Sequence, residues 1–322
     1  MEGTSWFDDL VLLDPKGPAQ QRWRAVSRRL RRERIDVSVL FTNSFHSAFV
    51  AWAGRCRRRL GYARDGRSVL LTDRLPAVRG PNGKLIPSPV IDAYNALVRE
   101  LGCPEPGHRM ELATTPVDEA SAEAVWHQAG FRRLPEVVCF NPGGAFGSAK
   151  HWPVESFAEL SRKLVDRRHS GILILCGASE REIAQRIVRL ARRPAVHSLS
   201  TYPLSLGLTK ACIRRADLLV TTDSGPRHFA AAFDRPVITL FGPTHIEWTE
   251  TYHSRAVHLQ KKVDCGPCQL RVCPIDHRCM TMLSPDEVYL AADALLTQDK
   301  SAPREAWDNK ALPMTTETPD GC

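Results

Sequence analysis

Apolar positions follow two different rhythms along this chain. In the first half Trp23, Val26 and Leu30 recur at helical spacing inside Arg22 to Arg34, a stretch with seven arginines, so an amphipathic helix with one thin buried seam is expected. Asp36 to Thr42 (DVSVLFT) predicts a buried strand. Arg55 to Arg67 carries six arginines around Gly61 and Tyr62 without a clear period and reads as a loop-rich basic surface. Ser88-Pro89 opens a helix with Val90, Ile91, Tyr94, Leu97, Val98 and Leu101 on one face, and Thr115-Pro116 caps another that leads to Val125 and Trp126. Gly130 to Pro135 reads as a linker.

From Pro135 the rhythm becomes a regular alternation of strand and helix. Strands are predicted at Val137 to Phe140, Gly171 to Cys176, Leu218 to Thr222 and Pro236 to Phe241. Between them fall helices with Phe157, Leu160 and Leu164 inward, with Ile183, Ile187 and Leu190 inward, over Leu204 to Arg215, and over Arg227 to Phe233. Ser284 to Leu296 closes the series, and Gln298 to Cys322 is polar and reads as disordered. Such alternation means βαβ units and a parallel sheet, hence an α/β fold.

A chain of 322 residues exceeds what one core usually organises, so two domains are expected. Hydrophobic residues at 43% and charged residues at 25% match globular usage and exclude a disordered, fibrous or membrane-spanning protein. Met1 to Asp9 lacks the basic and apolar regions of a signal peptide, and no apolar run approaches the ~20 residues that cross a bilayer, which points to the cytosol. The net charge of +8 calls for an acidic partner: nucleic acid, a membrane surface or a phosphorylated substrate. Nucleic acid ranks low, because the arginine runs come with no recognition motif and no aromatic platform. Of the ten cysteines, Cys56, Cys103, Cys139, Cys176 and Cys212 are scattered and read as buried thiols in a reducing compartment.

In an open parallel sheet ligands bind beyond the carboxyl ends of the strands. Those ends carry Asn141-Pro142-Gly143-Gly144, Gly177-Ala178-Ser179-Glu180, Thr222-Asp223-Ser224-Gly225 and Gly242-Pro243-Thr244, loops small enough for backbone to approach a ligand and offer N–H groups to an anion. Gly143 to Lys150 is neither a Walker motif nor a dinucleotide fingerprint, and on its own it is equally a strand-to-helix turn with a surface lysine. Lys150, just before a helix, could reach a diphosphate. In Asp223 to His228 (DSGPRH) the Ser224 and Gly225 amides could cradle a phosphate; alternatively Asp223 is only a helix cap and His228 a core-facing polar residue. Cys265-x2-Cys268-x4-Cys273-x5-Cys279 could complete a structural tetrahedral zinc site, with free or reversibly oxidised thiols as the other reading. The spacing is not that of a standard finger, and no catalytic metal is implied.

Residues 141 to 152 (NPGGAFGSAKHW), 222 to 228 (TDSGPRH), 241 to 244 (FGPT) and 264 to 285 (DCGPCQLRVCPIDHRCMTMLSP) together resemble the ADP-heptose:lipopolysaccharide heptosyltransferases, glycosyltransferase family 9, and the cysteine-bearing segment is most similar to the heptosyltransferase II branch. In the first half Asn43-Ser44-Phe45 and Arg59-Leu60-Gly61-Tyr62 are similar to less specific family segments. The resemblance implies a GT-B-like architecture of two Rossmann-like domains with parallel sheets, here 1–133 as an incomplete acceptor-side domain, 134–297 as the nucleotide-sugar domain and 298–322 as a tail. It further implies inverting, metal-independent transfer of heptose from ADP-heptose to the inner core of lipopolysaccharide, with no cofactor. The acceptor would be a lipid A–Kdo/heptose core at the inner membrane surface, met by a cytoplasmic enzyme or one peripheral on that membrane. Lys150 would stabilise the leaving group, and Gly143, Gly144, Asp223, Ser224, Gly225 and His228 would hold the donor. Glu180, with Glu182 as its rival, would bind the ribose, and Arg59, Arg64 and Arg67 would meet the acceptor unless they are a solvated basic surface. Family members open with a strand, a Gly-Asp loop and a helix, and the Asp of that loop is the expected general base. Here Trp6 to Asp14 (WFDDLVLLD) corresponds to a strand that follows that first unit, and no residue is nominated as base. Two readings follow: Met1 is a misplaced start and the protein an enzyme, or the chain is a non-catalytic nucleotide-sugar-binding remnant.

Overall fold

The computed structural model describes residues 2–144 and 146–298, which form two compact units. The expected tail lies outside the described residues, apart from its first position, Gln298. No helix among the described residues is long and apolar enough to cross a membrane.

The smaller unit, residues 5–108 with Glu247–Glu250, holds helices α1 (Trp23–Glu33), α2 (Phe45–Ala53) and α3 (Val90–Arg99) and strands β1 (Val37–Val39), β2 (Arg58–Ala63) and β3 (Asp73–Pro76). The strands form one parallel sheet in the order β1-β2-β3. Helix α1 lies where the seam of Trp23, Val26 and Leu30 predicted it, with Val26 buried. Two expectations need correction. Asp36 to Thr42 is not a buried strand: only Val37–Val39 pairs, at the sheet edge, and Val37 is exposed. Arg55 to Arg67 is not a loop-rich surface, because β2 runs through it as the central strand, with Leu60 fully buried. Arginine density hid the strand; Arg58 finds its counter-charge in Asp73 on β3 at 2.9 Å. The core is small, with Leu40, Ala48, Ala51, Cys56, Leu70 and Leu71 buried together. Residues 6–14 belong to no strand, contrary to the correspondence drawn for WFDDLVLLD, and Trp6, Phe7, Leu10 and Leu12 remain exposed.

The larger unit joins Arg109–Ile246 with 251–298 and 2–4. Its strands are β4 (Val137–Asn141), β5 (Gly171–Ile174), β6 (Val196–Ser198), β7 (Leu218–Thr222), β8 (Val237–Phe241) and β9 (Ala256–Gln260). All pair in parallel, in the order β6-β5-β4-β7-β8-β9. Helices α4 (Pro116–Gln128), α5 (Val154–Arg168), α6 (Arg181–Ala191), α7 (Leu206–Arg215), α8 (Pro226–Ala232), α9 (Arg278–Thr281) and α10 (Pro285–Gln298) complete it. Every residue of β4, β5, β7 and β8 is buried, as strands covered on both faces must be, which is why they read as unbroken apolar runs. Phe157, Leu160 and Leu164 of α5 are fully buried against them.

The stretch 109–133, read from sequence as the end of the first half, packs with this unit. Thr115 and Asp118 form a reciprocal capping box at the start of α4. Glu119 then pairs with Arg214 at 2.8 Å and with Arg215 at 3.0 Å on α7. Phe131, within the predicted linker, is buried and meets Trp126 edge to face, so that residue anchors the stretch to the core while Arg132, Arg133 and Pro135 stay exposed.

Candidate functional site

Strand order fixes where a site can form. Starting at β4, the chain moves outward through β5 and β6, returns to β7 on the other side of β4, and moves out again through β8 and β9. The loops after β4 and β7 therefore leave the sheet in opposite directions, and the switch point between them is the natural crevice of such a sheet. The two motifs singled out in the sequence emerge at this place, with Asn141 paired to Thr221 at the last rung.

Side chains bind the loops to one another. Asn141 Nδ2 donates to Ser224 Oγ at 2.8 Å and to Thr221 Oγ1 at 3.0 Å, and Thr222 Oγ1 donates to the Gly143 carbonyl at 2.7 Å. Thr244, in the loop after β8, donates its hydroxyl to Asp223 Oδ2 at 2.8 Å. The Glu180 carboxylate, in the loop after β5, accepts from the Gly177 amide at 2.8 Å and lies so close to Gly143 that a Cβ there would overlap it. Gly143 thus leaves the room that the Glu180 carboxylate occupies. At Gly225 a side chain would meet nothing within 4 Å, so open space fronts that turn. Glu182 is exposed on the first turn of α6.

At the centre is a charge pair. Lys150 Nζ sits 2.6 Å from Asp223 Oδ2 and 3.0 Å from the Asp223 carbonyl, with side-chain exposures of 11% and 5% for the lysine and the aspartate. Burial pushes the Asp223 carboxyl up, but the Lys150 hydrogen bond and charge, the Thr244 hydroxyl and the Arg227 charge outweigh it and hold the group below the usual carboxylate range. Arg227 is itself buried, 3.9 Å from Asp223, with its guanidinium over the Phe241 ring. Burial, aided by the Arg227 charge, lowers His228 to about 4, so its imidazole is neutral at pH 7.

The cysteine-bearing segment reaches this site through its backbone. Ala149 N donates to the Arg271 carbonyl at 3.0 Å, Gln269 N donates to the Pro243 carbonyl at 2.8 Å, and His277 Nε2 lies 2.7 Å from the Ala149 carbonyl. These contacts set the four thiols at different depths: Cys265 and Cys268 exposed, Cys273 intermediate, Cys279 buried. Burial pushes the Cys279 thiol up, and its cysteine neighbours push it further. Among the described residues no group of three or more His, Cys, Asp or Glu side chains is arranged to hold a metal ion, and Cys265, Cys268, Cys273 and Cys279 stand as free thiols.

The three arginines nominated for an acceptor are largely committed within the smaller unit. Arg67 is 0% exposed and its guanidinium donates to the carbonyls of Tyr62 and Thr42 and to Asn43 Oδ1, so its donors are spent within the core and not offered at the surface. Arg59 donates to the Leu70 and Cys56 carbonyls at 2.7 and 2.6 Å, and Arg64 pairs with Asp65 at 3.0 Å. A planar guanidinium with five donors is well suited to gathering strand-end carbonyls, a use that arginine density alone does not distinguish from ligand binding. Sequence reasoning passed over Asn141, Thr222, Thr244 and Arg227 as individual site members, although all lie in the strand-end loops or the motif that it did single out.

The fold and the site define an open, doubly wound parallel α/β unit with polar loops gathered at its switch point. The chain belongs to glycosyltransferase family 9 (heptosyltransferase), whose description matches residues 23–278. It is 29% identical over 171 residues to a lipooligosaccharide heptosyltransferase 2 of Campylobacter jejuni, covering 51% of this chain and 52% of the relative. It is 27% identical over 292 residues to lipopolysaccharide heptosyltransferase 2 of Escherichia coli, covering 86% and 80%. The solved structure of E. coli ADP-heptose lps heptosyltransferase II aligns with a TM-score of 0.68 at 24% identity, over 86% of this chain and 81% of that one, a likeness of fold. The chain spans about half the length of the Campylobacter relative, as the coverage above shows.

Proposed function

We propose that the protein is a heptosyltransferase that moves heptose from ADP-heptose to the inner core of lipopolysaccharide, by direct, inverting displacement without a catalytic metal. The observation that carries this reading is the Lys150–Asp223 pair at the switch point, in the order of motifs that marks the family. Gly143, Gly144, Ser224 and Gly225 would let backbone approach the donor, and Asp223 and His228 would line the crevice, the latter as a neutral imidazole. Glu180, already against Gly143, is better placed than Glu182 to receive the ribose hydroxyls. Lys150 would swing from Asp223 to the diphosphate as negative charge develops on the departing ADP; stabilisation of this kind accelerates a reaction by on the order of a hundredfold or more. The acceptor would be an anionic lipid A–Kdo/heptose core at the cytoplasmic face of the inner membrane.

The test is release of ADP from ADP-heptose in the presence of a heptose-deficient core acceptor and a chelator. Acceptor-dependent release supports the reading, and Lys150→Ala should lower the rate roughly a hundredfold. ADP-heptose binding with no release would favour a second reading, a non-catalytic nucleotide-sugar-binding protein. That reading is supported by the internal engagement of Arg59 and Arg67, which leaves the smaller unit with fewer groups for an acceptor.

A further inference from the structure

The Lys150 charge is already compensated by Asp223 at 2.6 Å, so a swing to a diphosphate costs part of what it gains. Breaking that pair to bind an anion would take from the Asp223 carboxylate its nearest cation, although Arg227 at 3.9 Å and the Thr244 hydroxyl stay beside it. A second cation at the mouth of the glycine-rich loop would offset that loss, and the structure holds one. Arg271 lies between Cys268 and Cys273, its carbonyl accepting from Ala149 N at 3.0 Å and lying where a Cβ on Gly147 would collide with it. Its backbone is thereby fixed to the loop that carries Lys150. Its side chain is exposed and turned onto Phe146: the guanidinium carbon is 5.6 Å from the ring centroid, and Lys150 Nζ is 4.6 Å from the same centroid. Two cations thus share one aromatic ring. Among the described residues the Arg271 guanidinium forms no hydrogen bond or ion pair, whereas Arg227 approaches Asp223 and Arg181 donates to the Ser200 and Tyr202 carbonyls.

We infer that Arg271 is a second diphosphate-binding residue of the donor site, held over Phe146 so that its planar donors meet the phosphate oxygens while Lys150 approaches from the loop. The guanidinium suits the task, since it presents paired donors to phosphate, stays charged at any physiological pH, and keeps its stacking on an aromatic face while it binds. The inference rests on the donor-site reading above and adds one residue and its ligand group to it. It also gives the cysteine-bearing segment a function apart from metal: it is the support that brings Arg271 to the loop.

The experiment titrates the full chain with ADP and with adenosine, by calorimetry and ligand-observed NMR, for the parent and for Arg271→Gln and Arg271→Lys. Loss of one charge-assisted contact should weaken ADP roughly tenfold in Arg271→Gln, with adenosine unchanged, a shallower salt dependence for ADP, and partial recovery in Arg271→Lys. Phe146→Leu, which removes the platform but no charge, should weaken ADP by a smaller factor. If the parent binds ADP and Arg271→Gln binds it equally well, the inference is overturned and the donor site stands. An equal loss of ADP and adenosine would make Arg271 a packing residue and would also overturn it. A parent chain that binds neither ligand overturns the donor-site reading itself.

Discussion

Lys150 and Asp223 are far apart in sequence and form a buried charge pair at the centre of the site. Removing the lysine takes the nearest cation from a carboxylate held away from water, and with Arg227 still 3.9 Å from it the cost is up to about 3 kcal/mol. Lys150→Met should therefore lower the unfolding free energy in urea by about that amount, and the double change with Asp223→Asn should recover part of it; strictly additive losses would show that the two do not act as a pair. His228 offers a pH signature. Its folded value of about 4 lies below its ordinary value of 6.5, so between those pH values the unfolded chain binds more protons than the native one. Stability should then rise with pH through that window, and His228→Gln should flatten the rise. Urea midpoints at pH 5 and pH 7 measure it, and an unchanged slope in the variant would remove His228 as the cause. Both residues were legible as members of a motif. Their pairing and the neutral state of His228 were not, because these depend on Thr244 and Arg227 and on burial.

At the scale of elements, the loop after β4 is shaped by what presses on it. Gly143 faces the Glu180 carboxylate and Gly147, at φ 152°, faces the Arg271 carbonyl. Gly143→Ala would push aside only a flexible side chain, so the expected effect is on ligand affinity, with a melting temperature close to the parent. Gly147→Ala meets backbone and adopts a φ that L residues avoid, so a destabilisation of ~1–3 kcal/mol is expected. Thermal melts compared with ADP titrations separate the two, and a Gly147→Ala protein as stable as the parent would mean that the segment carrying Arg271 yields easily. Strands β4, β5, β7 and β8 were readable because strands buried on both faces are continuous apolar runs. Strand β2 was not, since its arginines reach counter-charges and carbonyls that only the neighbouring strands and loops supply. Strands β3, β6 and β9 also went unread; β6 has three residues, and no residue of β9 is fully buried.

For the whole molecule, the two units differ in how much apolar surface each removes from water. The larger has a contiguous core beneath six strands, whereas the smaller gathers its core around three short ones. Cooperative units with fewer buried contacts open at lower free energy, so amides of β1 and β3 should exchange with solvent through sub-global openings while those of β4 and β7 exchange only on global unfolding. Hydrogen exchange followed by mass spectrometry reads this directly, and a single exchange class for all four strands would contradict it. The sequence by itself determined the α/β class, the strand-end loops and the family, because burial on both sheet faces and close backbone approach leave apolar runs and small residues at fixed places in the chain. Tertiary structure alone decided which polar residues have their partners within the fold and which stand at the strand-end loops. It placed Arg67 in a core and Arg271 at a loop mouth, and it set Lys150 against Asp223. An arginine or a cysteine carries the same chemistry wherever it stands in a sequence, and only the neighbours that folding brings to it determine whether that chemistry is already satisfied.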